Sequence, residues 1–342
     1  MYRYIGNKTK LLPYITEKIQ EIVPMGATIC DLMAGTGVVS YALSDRGYRM
    51  ISSDIMTYSK CHLTANLLIS CSPNYEKTGI EGYENVVDFL NNIEPLEGYF
   101  YKEFSPDGEP ANGCAPRKYF SSNNAKKIDA IRNQINIWVN NKLIDEKEEM
   151  LLKHTLIMAV NDVANISGTY GYFLSDLKKN AREPIRLEPI TFEEKHVIGN
   201  RVIQGFAEEI ASNITADLCY IDPPYMKRQY AANYHILETI ARGDFPDAVG
   251  KSGLRNWWDQ HSKLCTKTKG LDSLRTIIEN MDCDNFIISY SEDGLFTLEQ
   301  LKELFSRYGT VDVQYVDYNR FRSNGSTLPK KLKEYIIYLR RG

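Results

Sequence analysis

The stretch from Thr28 to Asp54 limits the fold more than any other part of the chain. Thr28-Ile29-Cys30-Asp31-Leu32-Met33 is a short β-prone run, and Ala34-Gly35-Thr36-Gly37 is a glycine turn. Val38 to Arg46 carries a helical pattern stopped by Gly47, and Tyr48 to Ser53 is β-prone again before Asp54. A strand that turns tightly into a helix and returns as a strand buries its apolar surfaces in layers. This is half of a doubly wound α/β unit with a parallel sheet.

Strand patterns return late in the chain. Asp217-Leu218-Cys219-Tyr220-Ile221 and Asn285-Phe286-Ile287-Ile288-Ser289-Tyr290 read as buried strands, and Val311 to Tyr318 with Glu334 to Leu339 reads as a closing hairpin. Residues 72–110 are acidic and rich in proline and glycine, which predicts a loop-rich insertion. Ile128, Ile131, Ile135 and Val139 then repeat at helical spacing, residues 146–165 form a second helical candidate, and Gly168-Thr169-Tyr170-Gly171 breaks the pattern as a turn. The organisation expected is one α/β domain from 1–72 and 196–342, interrupted by a mainly helical domain at 73–195.

With 43% hydrophobic and 25% charged residues, the chain can bury its own core, which excludes disorder throughout and fibrous repeats. Its 41 basic and 44 acidic residues sum to −3, so any surface for a polyanion must come from local clustering. No run approaches the ~18–20 apolar residues of a membrane span. The opening Met1-Tyr2-Arg3-Tyr4-Ile5-Gly6-Asn7-Lys8 lacks the apolar core of an export signal. Seven cysteines without a C-x-x-C spacing read as reduced, mostly buried thiols of a cytoplasmic protein. Five scattered histidines show no paired ligand spacing, so no metal is expected.

Two features carry chemistry. A strand ending in Gly35-x-Gly37 lets a ligand approach backbone amides, and Asp54, 17 residues after Gly37, can accept both hydroxyls of a ribose. Position 40 is Ser, so the full G-x-G-x-x-G dinucleotide fingerprint is absent, and a plain tight turn with a capping aspartate competes with the cofactor reading. The second feature is Asp222-Pro223-Pro224-Tyr225, directly after a strand. Two prolines remove two donors and fix φ, which holds the turn's carbonyls rigid. Carbonyls, a carboxylate and a tyrosine ring together suit a planar heterocycle bearing an amino group.

At this point a resemblance becomes specific. The A-G-T-G turn, the acid ending the next strand and the D-P-P-Y motif after a later strand resemble the S-adenosylmethionine-dependent amino-methyltransferases of DNA. Tyr4-Ile5-Gly6-Asn7-Lys8, followed by Leu11-Leu12, resembles the opening segment of the D12 class of adenine-N6 DNA methyltransferases, the Dam-like alpha group, and the motif order is that of the class. Arg228-Gln229-Tyr230, Asn233-Tyr234-His235, Ser289-Tyr290-Ser291 and Lys333-Glu334-Tyr335 are similar to a branch that includes methyltransferases of type II restriction systems. The resemblance spans most of the chain and is weak over 72–165.

The resemblance implies a class I methyltransferase fold, Rossmann-like with a mostly parallel seven-stranded sheet, and a DNA-recognition role for the insert at 73–195. Asp222, Pro223, Pro224 and Tyr225 match the catalytic motif. Tyr4, Lys8, Asp31, Gly35, Gly37, Asp54, Phe206 and Asp222 match positions that hold S-adenosyl-L-methionine. Phe206 matches loosely, because Gly205 stands where an acidic or polar residue is frequent. The chemistry implied is direct displacement on an adenine flipped out of the duplex, with hydrogen bonds from its amino group to Asp222 and the Pro223 carbonyl exposing the nitrogen lone pair, and with Tyr225 stacked on the base.

Double-stranded DNA is then the partner, through Tyr170, Lys178, Arg228, Tyr230, Asn233, Arg320 and Arg322. Three basic stretches compete as its phosphate surface, namely Arg117 to Arg132, Lys178 to Arg186 and Arg320 to Arg341, and each can equally be a solvated face. Trp257-Trp258 in the loop 226–275 reads either as packing or as a segment that orders on DNA. A monomer in a bacterial cytoplasm is expected, with a cognate restriction endonuclease as its functional partner. Cytosine-N4 methylation, a nicotinamide-dependent oxidoreductase and a non-catalytic DNA-binding relative are the competing readings.

Overall fold

A computed structural model describes residues 5–111, 113–192, 199–319 and 331–342. Two compact units alternate along the chain. One gathers Met1–Ile5, Met56–Glu194 and Tyr230–His261, and the other Gly6–Ile55, Lys195–Gln229 and Ser262–Gly342. Among the described residues no helix is long and apolar enough to cross a membrane.

The second unit is built on one sheet of seven strands: β1 (Thr28–Asp31), β2 (Arg49–Asp54), β3 (Arg201–Gln204), β4 (Leu218–Ile221), β5 (Asn285–Ser291), β6 (Gly309–Asn319) and β7 (Lys331–Arg341). Their order is β3-β2-β1-β4-β5-β7-β6. β1 to β5 are parallel, while β7 runs antiparallel to both β5 and β6. This is the strand order of the class I methyltransferase fold. Central parallel strands are covered on both faces, which is why Leu218-Cys219-Tyr220-Ile221 is buried throughout and reads as an unbroken apolar run. Ile29, Met50, Tyr220, Ile287 and Ile336 face one layer with Ile15 and Ile19 of helix α1 (Leu12–Ile22) and Leu43 of α2 (Val38–Ser44). Their strand neighbours Cys30, Ile51, Ile221, Ile288 and Ile337 face the other layer, with Leu274, Ile277, Leu301 and Phe305. The two-residue alternation of strands thus builds two cores, one on each face.

Register places the chemistry. Asp31 pairs with Tyr220, Asp54 with Gln204 and Ser291 with Glu334. The carboxyl ends of the parallel strands and the start of antiparallel β7 therefore share one edge of the sheet. β3 is an edge strand of four residues that the sequence reading did not register as a strand.

The first unit is helical. Its longest helices are Ser122–Asn140 and Glu146–Val163, the latter opened by a capping box in which Asp145 and Glu148 satisfy each other's backbone N–H groups. Residues 72–110, expected to be loop, contain the helices Tyr83–Asn92 and Tyr99–Phe104. Buried Tyr83, Val86, Val87 and Leu90 sit at helical spacing, a pattern that the surrounding acids and glycines obscure. Glu238, fully buried, holds this unit together. It accepts the N–H groups of Thr57 at 2.9 Å and Tyr58 at 3.2 Å at the start of helix Thr57–Leu67, and bonds Arg242 at 2.8 Å and Gln260 at 2.7 Å.

Candidate active site

β1 leaves the sheet through a turn in which Gly35 and Gly37 take φ of +56° and +84°. At Gly37 the positive φ is what requires glycine, and a Cβ there would also displace the ring end of Tyr41. Asp54, at the end of β2, accepts the Gly35 N–H at 2.9 Å and so pins the turn. Phe206, half-buried, lies two residues beyond Gln204, the register partner of Asp54, at the same edge of the sheet.

Asp31 ends β1 and is buried at 1% exposure. Its Oδ2 accepts the Ser40 hydroxyl at 2.6 Å, and Ser52 in turn donates to Ser40 at 2.8 Å. Its Oδ1 is buried without a hydrogen-bond partner. Burial pushes the carboxyl up to about 7 despite the Ser40 bond, and the charges of Asp222 and Asp54 add to the rise. An orphaned buried acceptor beside a glycine turn and a second carboxylate fits a ligand that brings N–H, ammonium and ribose hydroxyl groups.

The Asp222-Pro223-Pro224-Tyr225 turn follows β4 at the centre of the same edge. Lys8, 6% exposed, lies just before α1, where its carbonyl accepts the N–H groups of Leu11 and Leu12. Its Nζ stands 2.8 Å from Asp222 Oδ1 and donates to the Tyr225 hydroxyl at 2.7 Å. Tyr225 donates to the same Oδ1 at 2.9 Å. A lysine, an aspartate and a tyrosine thus close a triangle, leaving Asp222 Oδ2 outside it. Burial raises the Asp222 carboxyl above the usual range, against the opposing pull of Lys8 and the Tyr225 bond. The Tyr225 carbonyl accepts the Leu295 N–H at 2.9 Å and its ring lies 5.1 Å from Tyr290, which fixes the turn to the chain after β5. The sequence reading assigned Lys8 to the methyl donor alone; its tie to the D-P-P-Y turn was not visible, because its partners are more than two hundred residues away.

The remaining expected residues scatter. Tyr4, Arg320 and Arg322 lie outside the described residues. Tyr170, expected to touch DNA, is instead a core residue. It is fully buried, and its carbonyl accepts the Tyr119 hydroxyl at 2.7 Å and lies 3.0 Å from His235 Nε2. The exposed ring of that turn is Tyr172. Lys178 and Arg228 are exposed. Tyr230 stacks on Tyr234 with centroids 5.9 Å apart, and the Asn233 carbonyl accepts the Tyr170 N–H.

One basic stretch dissolves as a surface. Arg117 is fully buried on Glu103 at 2.6 Å, and Arg132 is buried against Phe100 and Phe245, so Arg117 to Arg132 is largely internal. Of the C-terminal stretch, Lys333 and Arg340 lie seven residues apart on one strand, roughly 23 Å at strand rise, and Arg320, Arg322 and Lys330 lie outside the described residues. Lys178, Lys179 and Arg182 stay exposed together in the helical unit. In the same unit Trp258 is exposed and stacked on Trp257 at 4.9 Å.

A family model described as D12 class N6 adenine-specific DNA methyltransferase matches residues 4–317. The type II methyltransferase M.NlaIII of Neisseria lactamica is 35% identical over 324 residues, covering 94% of this chain and 92% of that protein. The modification methylase StsI of Streptococcus sanguinis is 33% identical over 346 residues, covering 99% of this chain and 52% of its own length. The type II methyltransferase M.FokI of Planomicrobium okeanokoites is 33% identical over 344 residues, with 99% and 52% covered. The chain therefore spans about half the length of the latter two.

Proposed function

The chain belongs to the D12 class of N6 adenine-specific DNA methyltransferases, and from that premise we propose that it methylates one adenine within a short sequence of double-stranded DNA, with S-adenosyl-L-methionine as donor, as the modification partner of a restriction endonuclease. The names of M.NlaIII, StsI and M.FokI support the restriction context. The observation that carries the chemical reading is the triangle of Lys8, Tyr225 and Asp222 at the carboxyl edge of the sheet.

The adenine amino nitrogen is a weak nucleophile because its lone pair is delocalised into the ring. Lys8 and Tyr225 both occupy Asp222 Oδ1, which fixes the carboxylate and leaves Oδ2 to accept one amino N–H. The Pro223 carbonyl accepts the other. Held by two acceptors, the nitrogen turns its lone pair out of the ring plane. Such preorganised acceptors need no reorganisation at the moment of reaction. Bound S-adenosyl-L-methionine supplies an electrophilic methyl on sulfonium sulfur. Asp31, the Gly35–Gly37 turn, Asp54 and Phe206 would hold it at the same edge. A stacked base cannot reach these acceptors, so the adenine is flipped out, with the tethered Tyr225 ring beside it. Lys178, Lys179 and Arg182 in the helical unit supply phosphate contacts, with Tyr172 exposed nearby in the chain.

The test is expression in a host without DNA methylation, followed by single-molecule sequencing for modified bases and chromatography of digested DNA. N6-methyladenine at one motif, lost with Asp222→Ala, is the expected result. Modified cytosine, or no modified base from soluble protein that binds the donor, would sink this reading.

A further inference from the structure

Glu334 takes no part in the chemistry described so far. It lies near the start of β7, opposite Ser291 of β5 and Val316 of β6. Ile336, on the same face of the strand, packs in the layer of Leu11 and Ile15, whereas Tyr335 and Ile337 face the other layer. Glu334 therefore faces the side of the sheet that α1 covers, at the edge where Lys8 precedes that helix. Its side chain is 7% exposed, and Oε2 is buried without a hydrogen-bond partner.

The charges around it define its role. Lys8 and Asp222 both act on Glu334, as does Asp293, and the Ser291 hydroxyl steadies its carboxyl. Tyr225 and Tyr220 feel its charge in turn. Burial drives the carboxyl up to about 7, the Lys8 ammonium opposing the rise and Asp222 adding to it. One buried ammonium thus acts on two carboxyls and, among the described residues, forms its ion pair with Asp222 alone. A buried ammonium whose sole counter-ion is neutralised is costly. Methyl transfer creates that situation, because the nitrogen becomes cationic and its surplus proton lies on the hydrogen bond to Asp222.

The geometry points to Glu334 as a positioning residue, the second counter-charge for Lys8, which holds the ammonium in place while Asp222 engages the adenine amino group and takes up its proton. This rests on the methyltransferase reading above. The proton balance is closed. The N–H bond breaks with its electron pair returning to nitrogen, an O–H bond forms on Asp222, and Glu334, ionised above neutral pH, stays the anion that balances Lys8. The proton passes from the substrate to Asp222 and then to water, and Lys8 keeps one carboxylate throughout.

The experiment measures single-turnover methyl transfer to duplex DNA from pH 6 to 9, with donor affinity measured separately, for the wild type, Glu334→Gln and Glu334→Asp. Glu334→Gln keeps the shape and removes the charge. It should slow transfer about tenfold above neutral pH, one pKa unit of charge interaction, and should remove the rise in wild-type rate through the region near pH 7. Glu334→Asp should recover most of that rate, and donor affinity should not move. With Lys8→Met, adding Glu334→Gln should cost nothing further, since the glutamate acts through the lysine. A Glu334→Gln rate within about twofold of wild type with the same pH profile overturns the proposal. So does a slow Glu334→Gln that keeps the wild-type profile and is not rescued by aspartate, which is what a purely structural role produces. A wild type that binds donor and methylates nothing overturns the methyltransferase reading together with this one, whereas an active wild type with an indifferent variant overturns this one alone.

Discussion

Replacing Lys8 by Met tests the site at its most exposed assumption. The ammonium stands 2.8 Å from Asp222 Oδ1, with side-chain exposures of 6% and 18%. At an effective dielectric of ~20 the attraction at that distance is roughly 6 kcal/mol. Desolvation of both ions offsets a large part of it, and removing one partner of a buried pair costs about 3–5 kcal/mol. Met fills the stem and leaves Asp222 facing Glu334 without a cation. The Asp222 carboxyl, already raised by burial, then rises further because the lysine no longer opposes that burial. Transfer requires the ionised carboxylate, so activity is present above the folded pKa and lost as pH falls through it. The acid limb of the rate profile must therefore move to higher pH in Lys8→Met. A loss of about 3 kcal/mol in the transition state is roughly a hundredfold in rate near pH 7. Part of that loss should return at alkaline pH, where Asp222 ionises again. The assay is single-turnover transfer of a labelled methyl group to duplex DNA across the pH range, beside a thermal melt to confirm folding. A folded Lys8→Met that transfers at the wild-type rate near pH 7, or one whose slow rate shows no displaced limb, would refute the triangle as the source of Asp222's charge state.

Other outcomes follow from particular contacts. Asp31→Asn should raise stability at pH 8 by a few kcal/mol while weakening donor binding; the native carboxyl is pushed up to about 7, so wild-type stability falls as pH rises from the unfolded value through 7, and urea melts across pH should show that slope lost in the variant. Glu238→Ala should cost about 3–5 kcal/mol in the same melts, because it removes the buried acceptor shared by Arg242, Gln260 and the Thr57 and Tyr58 N–H groups and leaves Arg242 to its ion pair with Asp259; a loss under about 1 kcal/mol would show the network to be dispensable. Each alanine at Lys178, Lys179 or Arg182 should lower the salt dependence of DNA binding by about one unit of slope, whereas Arg117→Ala should destabilise the fold without changing that slope. Of the seven free cysteines, exposed Cys71 should react fastest with a thiol reagent in native buffer, with Cys114 behind it and the five buried thiols silent until unfolding.

What could be read before the structure, and what could not, separates along physical lines. Short central strands such as Leu218–Ile221 announce themselves because both faces are buried and nothing polar interrupts them. Val311 to Tyr318 and Glu334 to Leu339 were legible as a pair for a related reason, since their long β-prone runs match the antiparallel ladder of β6 and β7. The helix Tyr83–Asn92 was misread because its apolar face is only four residues wide and its solvent face carries the acids. The glycine turn after β1 and the D-P-P-Y segment after β4 were legible in position because each is written in contiguous residues. The charges were not. Arg117 and Glu238 look in the sequence like ordinary surface residues, and Lys8 like a contact of the methyl donor, yet each is buried on partners distant in the chain. A charge goes inside only where the fold brings an opposite charge or a set of backbone dipoles to meet it, so its burial is a property of the tertiary arrangement and leaves no local trace. The same principle explains Glu334. Its neighbours Lys333 and Tyr335 read as a strand with alternating faces, and only the register with Ser291 and the covering of that face by α1 separate it from a solvent-facing acid, which is what makes it available to Lys8 as a counter-charge in the proposal above.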